Sequence, residues 1–185
     1  MTGLWNGPDR FGLVTRLLHW TMALAILLAL GLGTYIARME VGLSNLWLFA
    51  LHKSLGMSIL ALAVLRIGWH LVSVPPMPLG AARGWKAGAA RAVHRMLYLL
   101  VVLVPVSGWV ASSATGLDSI IFGRWVLPPV APVSEGWESA GFALHGALTK
   151  LLAGLVVLHV AAALTRRDGT LRRMLRGTAG PGLSR

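Results

Sequence analysis

The sequence predicts an all-α fold, an integral membrane four-helix bundle with both termini on the cytoplasmic side. Three observations predict it. Of 185 residues, 56% are hydrophobic and only 12% charged, a balance foreign to soluble domains. Four apolar runs are each long enough, at about 1.5 Å per helical residue, to cross a bilayer. The cations are also distributed asymmetrically around those runs. Residues 1–185 read as one such domain, with little chain left over for an extramembrane unit.

The first span is expected at about 17–36, after a polar start holding Asp9, Arg10 and Arg16, with His19 and Trp20 at its mouth. No small-residue cleavage site follows it, so the run is expected to stay as a span. The second covers about 46–72, with His52 early and Arg66 and His70 late; Pro75, Pro76 and Pro78 then break the helix. His70, beside Trp69 and Leu71, reads as an interfacial residue. The third covers about 93–112, opening on His94 and Arg95, with Pro105 placed to kink it. The longest loop, 113–140, holds Pro128, Pro129 and Pro132 and is expected to contain a short interfacial stretch. The fourth span, about 141–165, reads GFALHGALTKLLAGLVVLHVAAALT and is followed by the basic segment RRDGTLRRMLRG.

An even number of spans puts both termini on one side. Arg10, Arg16, Arg83, Lys86, Arg91, Arg95, Arg166, Arg167, Arg172, Arg173, Arg176 and Arg185 fall there. The opposite loops hold only Arg38 and Arg124, with four of the six acids. Membrane orientation by the positive-inside rule therefore accounts for the net charge of +11, and no nucleic-acid partner is expected. The absence of cysteine excludes disulfides, thiolate-held iron–sulfur clusters and haem attached through Cys-x-x-Cys-His.

The histidines carry the chemistry. His145 and His159 are fourteen residues apart, which sets them about 40° apart around a helix and roughly 21 Å apart along it. A histidine inside hydrocarbon is costly unless paired, hydrated or ligated. Singly, each would read as a hydrogen-bonded packing residue. By depth, however, His19 matches His159 at the cytoplasmic leaflet and His52 matches His145 at the other. Two imidazoles fill both axial positions of a haem iron, whereas zinc takes three or four protein ligands. The expectation is two b haems between the helices, bound without covalent attachment and suited to electron transfer.

Anionic propionates call for cations. Arg66, fourteen residues after His52, shares its face at the cytoplasmic depth, with Arg16 and Arg95 as further candidates. Lys53 and Lys150 could serve the outer haem or snorkel to the interface. Gly56, Gly108 and Gly146 read equally as room for a flat macrocycle or as points of close helix approach. His94 is a candidate proton acceptor beside a quinone or a plain interfacial residue.

The segments RLLHW (16–20), HKSLGMSILALAVLRIGWHL (52–71), HRMLYLLVVLVPVSGWV (94–110) and HGALTKLLAGLVVLHVAAAL (145–164), with DGTLRRMLRG after them, resemble the bacterial cytochrome b561 family. The resemblance covers all four spans and the order of the histidines. It implies a bacterial inner-membrane bundle with two b haems on His19, His52, His145 and His159, exchanging electrons with the quinone pool. His94 matches a histidine recurrent in that family, while His70 has no recognised counterpart. Some relatives act as quinone-linked superoxide oxidases, so superoxide or a soluble periplasmic redox protein is the expected partner on the outer side. Others anchor larger dehydrogenases or hydrogenases and pass their electrons to quinone, which is the alternative function.

Overall fold

The computed structural model describes residues 3–79 and 85–178, apart from the side chain of Lys86. Arg83, Arg185 and that side chain, counted above among the cytoplasmic cations, lie outside the described residues. The elements are α1 (Leu13–Ile36), α2 (Leu46–Val72), α3 (Trp85–Ala114), β1 (Ser119–Ile121), β2 (Trp125–Leu127), α4 (Glu135–Thr165) and α5 (Thr170–Arg176). Helices α1 to α4 are long and apolar enough to cross a membrane. Several begin before the apolar runs, α3 at Trp85 and α4 at Glu135, because extending a formed helix adds a hydrogen bond for each residue fixed. Glu135 and Glu138 favour the early start of α4, since carboxylates suit the positive end of the helix dipole.

Helix α3 is the most enclosed span and packs against both α2 and α4, while α1 packs on α2. Met22, Ile26, Ile59, Ala63, Leu100, Val101 and Leu152 form a buried apolar cluster drawn from all four helices. The outward faces carry exposed Leu27, Leu65, Val157 and Leu164, as lipid contact requires. Helix α4 is the least enclosed of the four. Its close backbone contacts are with α3 and α5, and it stands off from α1 and α2, leaving a seam between them.

The 113–140 loop holds more than an interfacial stretch. β1 and β2 pair antiparallel, with Ser119 opposite Leu127 and Ile121 opposite Trp125. Phe122 (φ 52°) and Gly123 (φ 63°) both take left-handed backbone, and the Arg124 amide donates to the Ile121 carbonyl across 3.1 Å. That is the mirror-image turn whose twist suits a tight hairpin. The hairpin is docked: the Phe122 amide donates to Ser54 Oγ (2.8 Å), and the Ser112 and Ser119 hydroxyls bond at 2.8 Å.

At the other end of the bundle the segment before α1 and the segment around α5 meet. The Phe11 amide donates to the Gly177 carbonyl (3.0 Å), and Arg16 donates to the carbonyl of Leu175. Asn6 ties this end together. Its side-chain oxygen accepts from the Gly12 amide and the Thr15 hydroxyl, while its Nδ2 donates to the Ser73 carbonyl. The sequence pattern contained no signal for this closure.

Candidate functional site

The seam between α4 and its partners is bridged twice by histidine. His19 on α1 faces His159 on α4 with ring centroids 6.3 Å apart. His52 on α2 faces His145 on α4 at 6.2 Å. The pairs are separated by the fourteen-residue interval on α4, about 21 Å. The apolar cluster of Ile26, Ile59, Val101 and Leu152 packs between the helices along that interval.

A cavity of about 50 Å³ lies at the outer pair, lined by His52, His145, Gly56, Pro105, Thr149 and the apolar residues between them. Helix–helix approach beside it depends on two glycines. A Cβ on Gly33 would stand 2.8 Å from Cε1 of His52, and one on Gly108 would stand 3.0 Å from Cε1 of His145. Gly108 thus makes room for the imidazole itself. Gly56 faces open space within the cavity lining, and nothing lies within 4 Å of a Cβ on Gly146. His145 Nδ1 lies 3.0 Å from the Val104 carbonyl, which only accepts, so Nδ1 carries the hydrogen and donates it. The Nε2 lone pair is thereby left for a metal, an orientation that a backbone acceptor commonly gives a ligating imidazole. His52 Nδ1 is buried without a hydrogen-bond partner among the described residues, as is the Thr149 hydroxyl.

The inner pair sits among cations. Arg66 Nη1 lies 3.0 Å from His19 Nδ1, and its Nε donates to the Tyr98 hydroxyl across 3.1 Å. Guanidinium only donates. His19 Nδ1 therefore accepts, and the Tyr98 hydroxyl, which accepts from Arg66, is also hydrogen-bonded to His70 Nδ1 at 3.1 Å. His70 Nε2 is buried and finds no partner among the described residues. Arg16 Nε and Nη1 are likewise buried and unpartnered, while its Nη2 holds the Leu175 carbonyl. His94 packs edge-on against His159 with ring centroids 5.1 Å apart, and its Nδ1 donates to the Ala90 carbonyl (2.7 Å). Its Nε2 is left as an acceptor.

The remaining expected cations are less engaged. Lys53 is partly buried and Lys150 exposed, and neither forms a hydrogen bond or ion pair with a described residue; Arg95 is exposed. Sequence reasoning missed Gly33, Tyr98 and the part of His70 in the Arg66 chain. The spacing of Arg66 to His70, one helical turn, is the one available signal for the last.

The residues fit a haem at each pair. A metal–imidazole bond of about 2 Å on either side, plus about 1 Å from each ring nitrogen to its centroid, sets two axial imidazoles about 6 Å apart. Arg16 offers two buried donors to a propionate. At His19 the fit asks for one rearrangement: ligation through Nε2 requires Arg66 to turn from Nδ1, and a nearby carboxylate gives it a partner.

The family model for prokaryotic cytochrome b561 matches residues 10–177. The chain is 32% identical over 179 residues to Cytochrome b561 homolog 2 of Escherichia coli (strain K12), spanning 92% of this chain and 93% of that protein. It is 26% identical over 165 residues to the Yersinia pestis protein named Probable superoxide oxidase CybB, spanning 85% and 91% respectively. These similarities run through all four membrane helices and the seam they enclose, and the chain belongs to the prokaryotic cytochrome b561 family of haem-b membrane electron carriers.

Proposed function

We propose that this protein is a dihaem cytochrome b of the bacterial inner membrane, with cytoplasmic termini, that moves electrons between quinone and a one-electron partner in the periplasm. The observation that carries the reading is the two histidine pairs at 6.3 and 6.2 Å across one seam, at opposite depths. His19 and His159 would hold the inner haem, His52 and His145 the outer. Each haem, when bound by its histidine pair, would supply a one-electron iron couple suited to passing electrons. Arg16 and Arg66 would bind the inner propionates. Val104 fixes the His145 tautomer, and the β1–β2 hairpin, held to Ser54 of α2, shields the outer end from water.

The quinone belongs beside the inner pair, because the groups able to exchange protons gather there. His94 Nε2 can accept a proton from a quinol hydroxyl, and the unpartnered His70 Nε2, at the end of the Arg66–Tyr98 chain, is a second group able to exchange a proton or hydrogen bond there. On the outer side, superoxide is the favoured partner, consistent with the name carried by the Yersinia pestis relative. Lys53, Lys150 and Arg124 would attract an anion there.

Stopped-flow mixing of the purified, haem-loaded protein with superoxide and with a soluble quinone tests this. Superoxide should reduce both haems rapidly and quinone should reoxidise them. His94→Ala should slow the quinone phase at least tenfold and leave the superoxide phase intact. If neither reagent changes the haem spectrum, while a copurifying subunit reduces it, the protein is an electron-receiving anchor and this reading fails.

A further inference from the structure

The basic segment after α4 is used for more than membrane orientation. Arg173 turns inward: it is 2% exposed, donates to the Met77 carbonyl (2.7 Å) and stacks over Phe11 at 5.3 Å. That contact and the Arg16 and Trp20 donations to the carbonyls of Leu175 and Met174 lay α5 beside the first turns of α1. With Arg173 inward, Arg167, Arg172 and Arg176 stay exposed. Arg166, Arg167, Arg172 and Arg176 surround a surface recess with Leu171 and Leu175 as its apolar part. The one acid of this segment, Asp168, is taken by Arg166. Arg167, Arg172 and Arg176 are exposed, and none forms a hydrogen bond or ion pair with a described residue.

Three uncompensated guanidiniums around a recess are an anion site. Its setting selects the anion. Trp20, which donates to the Met174 carbonyl, marks the interfacial level, and the exposed side chain of Leu175 is part of the recess. A ligand that meets both chemistries has a phosphodiester head and acyl chains. We propose that this recess binds the headgroup of an anionic diacyl phospholipid, with its phosphate between Arg172 and Arg176 and its chains along α1. The two arginines are four apart on α5 and so share one face.

Native mass spectrometry of the haem-loaded full chain, with equimolar phosphatidylglycerol and phosphatidylcholine, tests the site. Wild type should retain phosphatidylglycerol over phosphatidylcholine at least about fivefold, and Arg172→Gln/Arg176→Gln should lower its retention about tenfold or more. The paired substitution removes no hydrogen bond or ion pair with a described residue, so the haem spectrum should stay unchanged and report an intact fold. Arg38→Gln/Arg124→Gln, an equal charge loss in the opposite loops, should keep the preference. Equal retention of both lipids overturns the proposal. So does equal loss in the Arg38/Arg124 variant, which would mean that net charge alone attracts lipid. Displacement of the lipid by millimolar inorganic phosphate would identify a free-anion site, and the lipid assignment would fall.

Discussion

Arg66 donates to Nδ1 of His19 across 3.0 Å, whereas His145, on the same seam, donates from Nδ1 to a carbonyl. The two ends of the bundle therefore present their imidazoles differently. Beside the inner pair stands a fixed positive charge; beside the outer pair stands a neutral acceptor. On the proposed reading, Arg66 would turn to a propionate when haem is bound and keep its charge near the iron, where a cation favours the reduced state. Arg66→Gln should lower the inner midpoint potential and leave the outer one unmoved. At an effective dielectric near 20 and a separation of about 8–12 Å the loss is about 1.4–2.1 kcal/mol, or roughly 60–90 mV for one electron. Spectroelectrochemical titration reads both components; an equal shift in each would show a general change in the bundle instead.

The pairing across the seam makes a second prediction. His52→Ala and His145→Ala should each remove the same low-spin component of the visible spectrum, and His19→Ala and His159→Ala the other. Pyridine haemochrome assay should find two haems per chain in the parent and about one in each variant. Loss of the same component in His52→Ala and His159→Ala would contradict the pairing.

Glycine at 33 is required by His52 rather than by α1. Its backbone is ordinary helix, but a Cβ would meet the imidazole at 2.8 Å, inside any real contact distance. Gly33→Ala should push the ring out of line and selectively weaken outer haem binding, at a cost of about 1–3 kcal/mol from overpacking. Gly31→Ala, where nothing lies within 4 Å, should be silent. Haem occupancy after dilution, resolved by the two spectral components, separates these variants.

The spans and the meeting of His19 with His159 and His52 with His145 are legible in the sequence, because depth follows from counting along a helix. Rotation is harder to read. Gly33 and Tyr98 matter through what a neighbouring helix presents to them, and that depends on interhelical register, which residue spacing does not contain. The hairpin escapes notice for another reason: its strands are three residues each, too short for alternation to show. The fold of the basic segment rests on Arg173 being buried, whereas pattern reading treats a run of arginines as solvated throughout.

That segment is also held by a carboxylate whose protonation can be followed. Asp168 is partly buried, which alone would raise its pKa. The hydrogen bonds from Arg166 and then Thr170, together with the Arg166 charge, outweigh burial and hold it below the ordinary carboxylate value. Asp168 accepts from the Thr170 amide at the start of α5 (3.0 Å), and Arg166 reaches on to the Leu79 carbonyl (3.0 Å). A group whose folded pKa is depressed stabilises fully above its unfolded value, near 4, and the contribution is lost as pH falls through the lower folded value. The pair is about a quarter to a third exposed, so its contribution is modest, below about 1 kcal/mol. Hydrogen exchange of α5 amides should be slow and pH-independent, after correction for intrinsic rates, from pH 7 to 5. Below about pH 4 protection should fall. Asp168→Asn should show the reduced protection already at pH 7 and no further step in acid. An unchanged step in that variant would place the titrating group elsewhere.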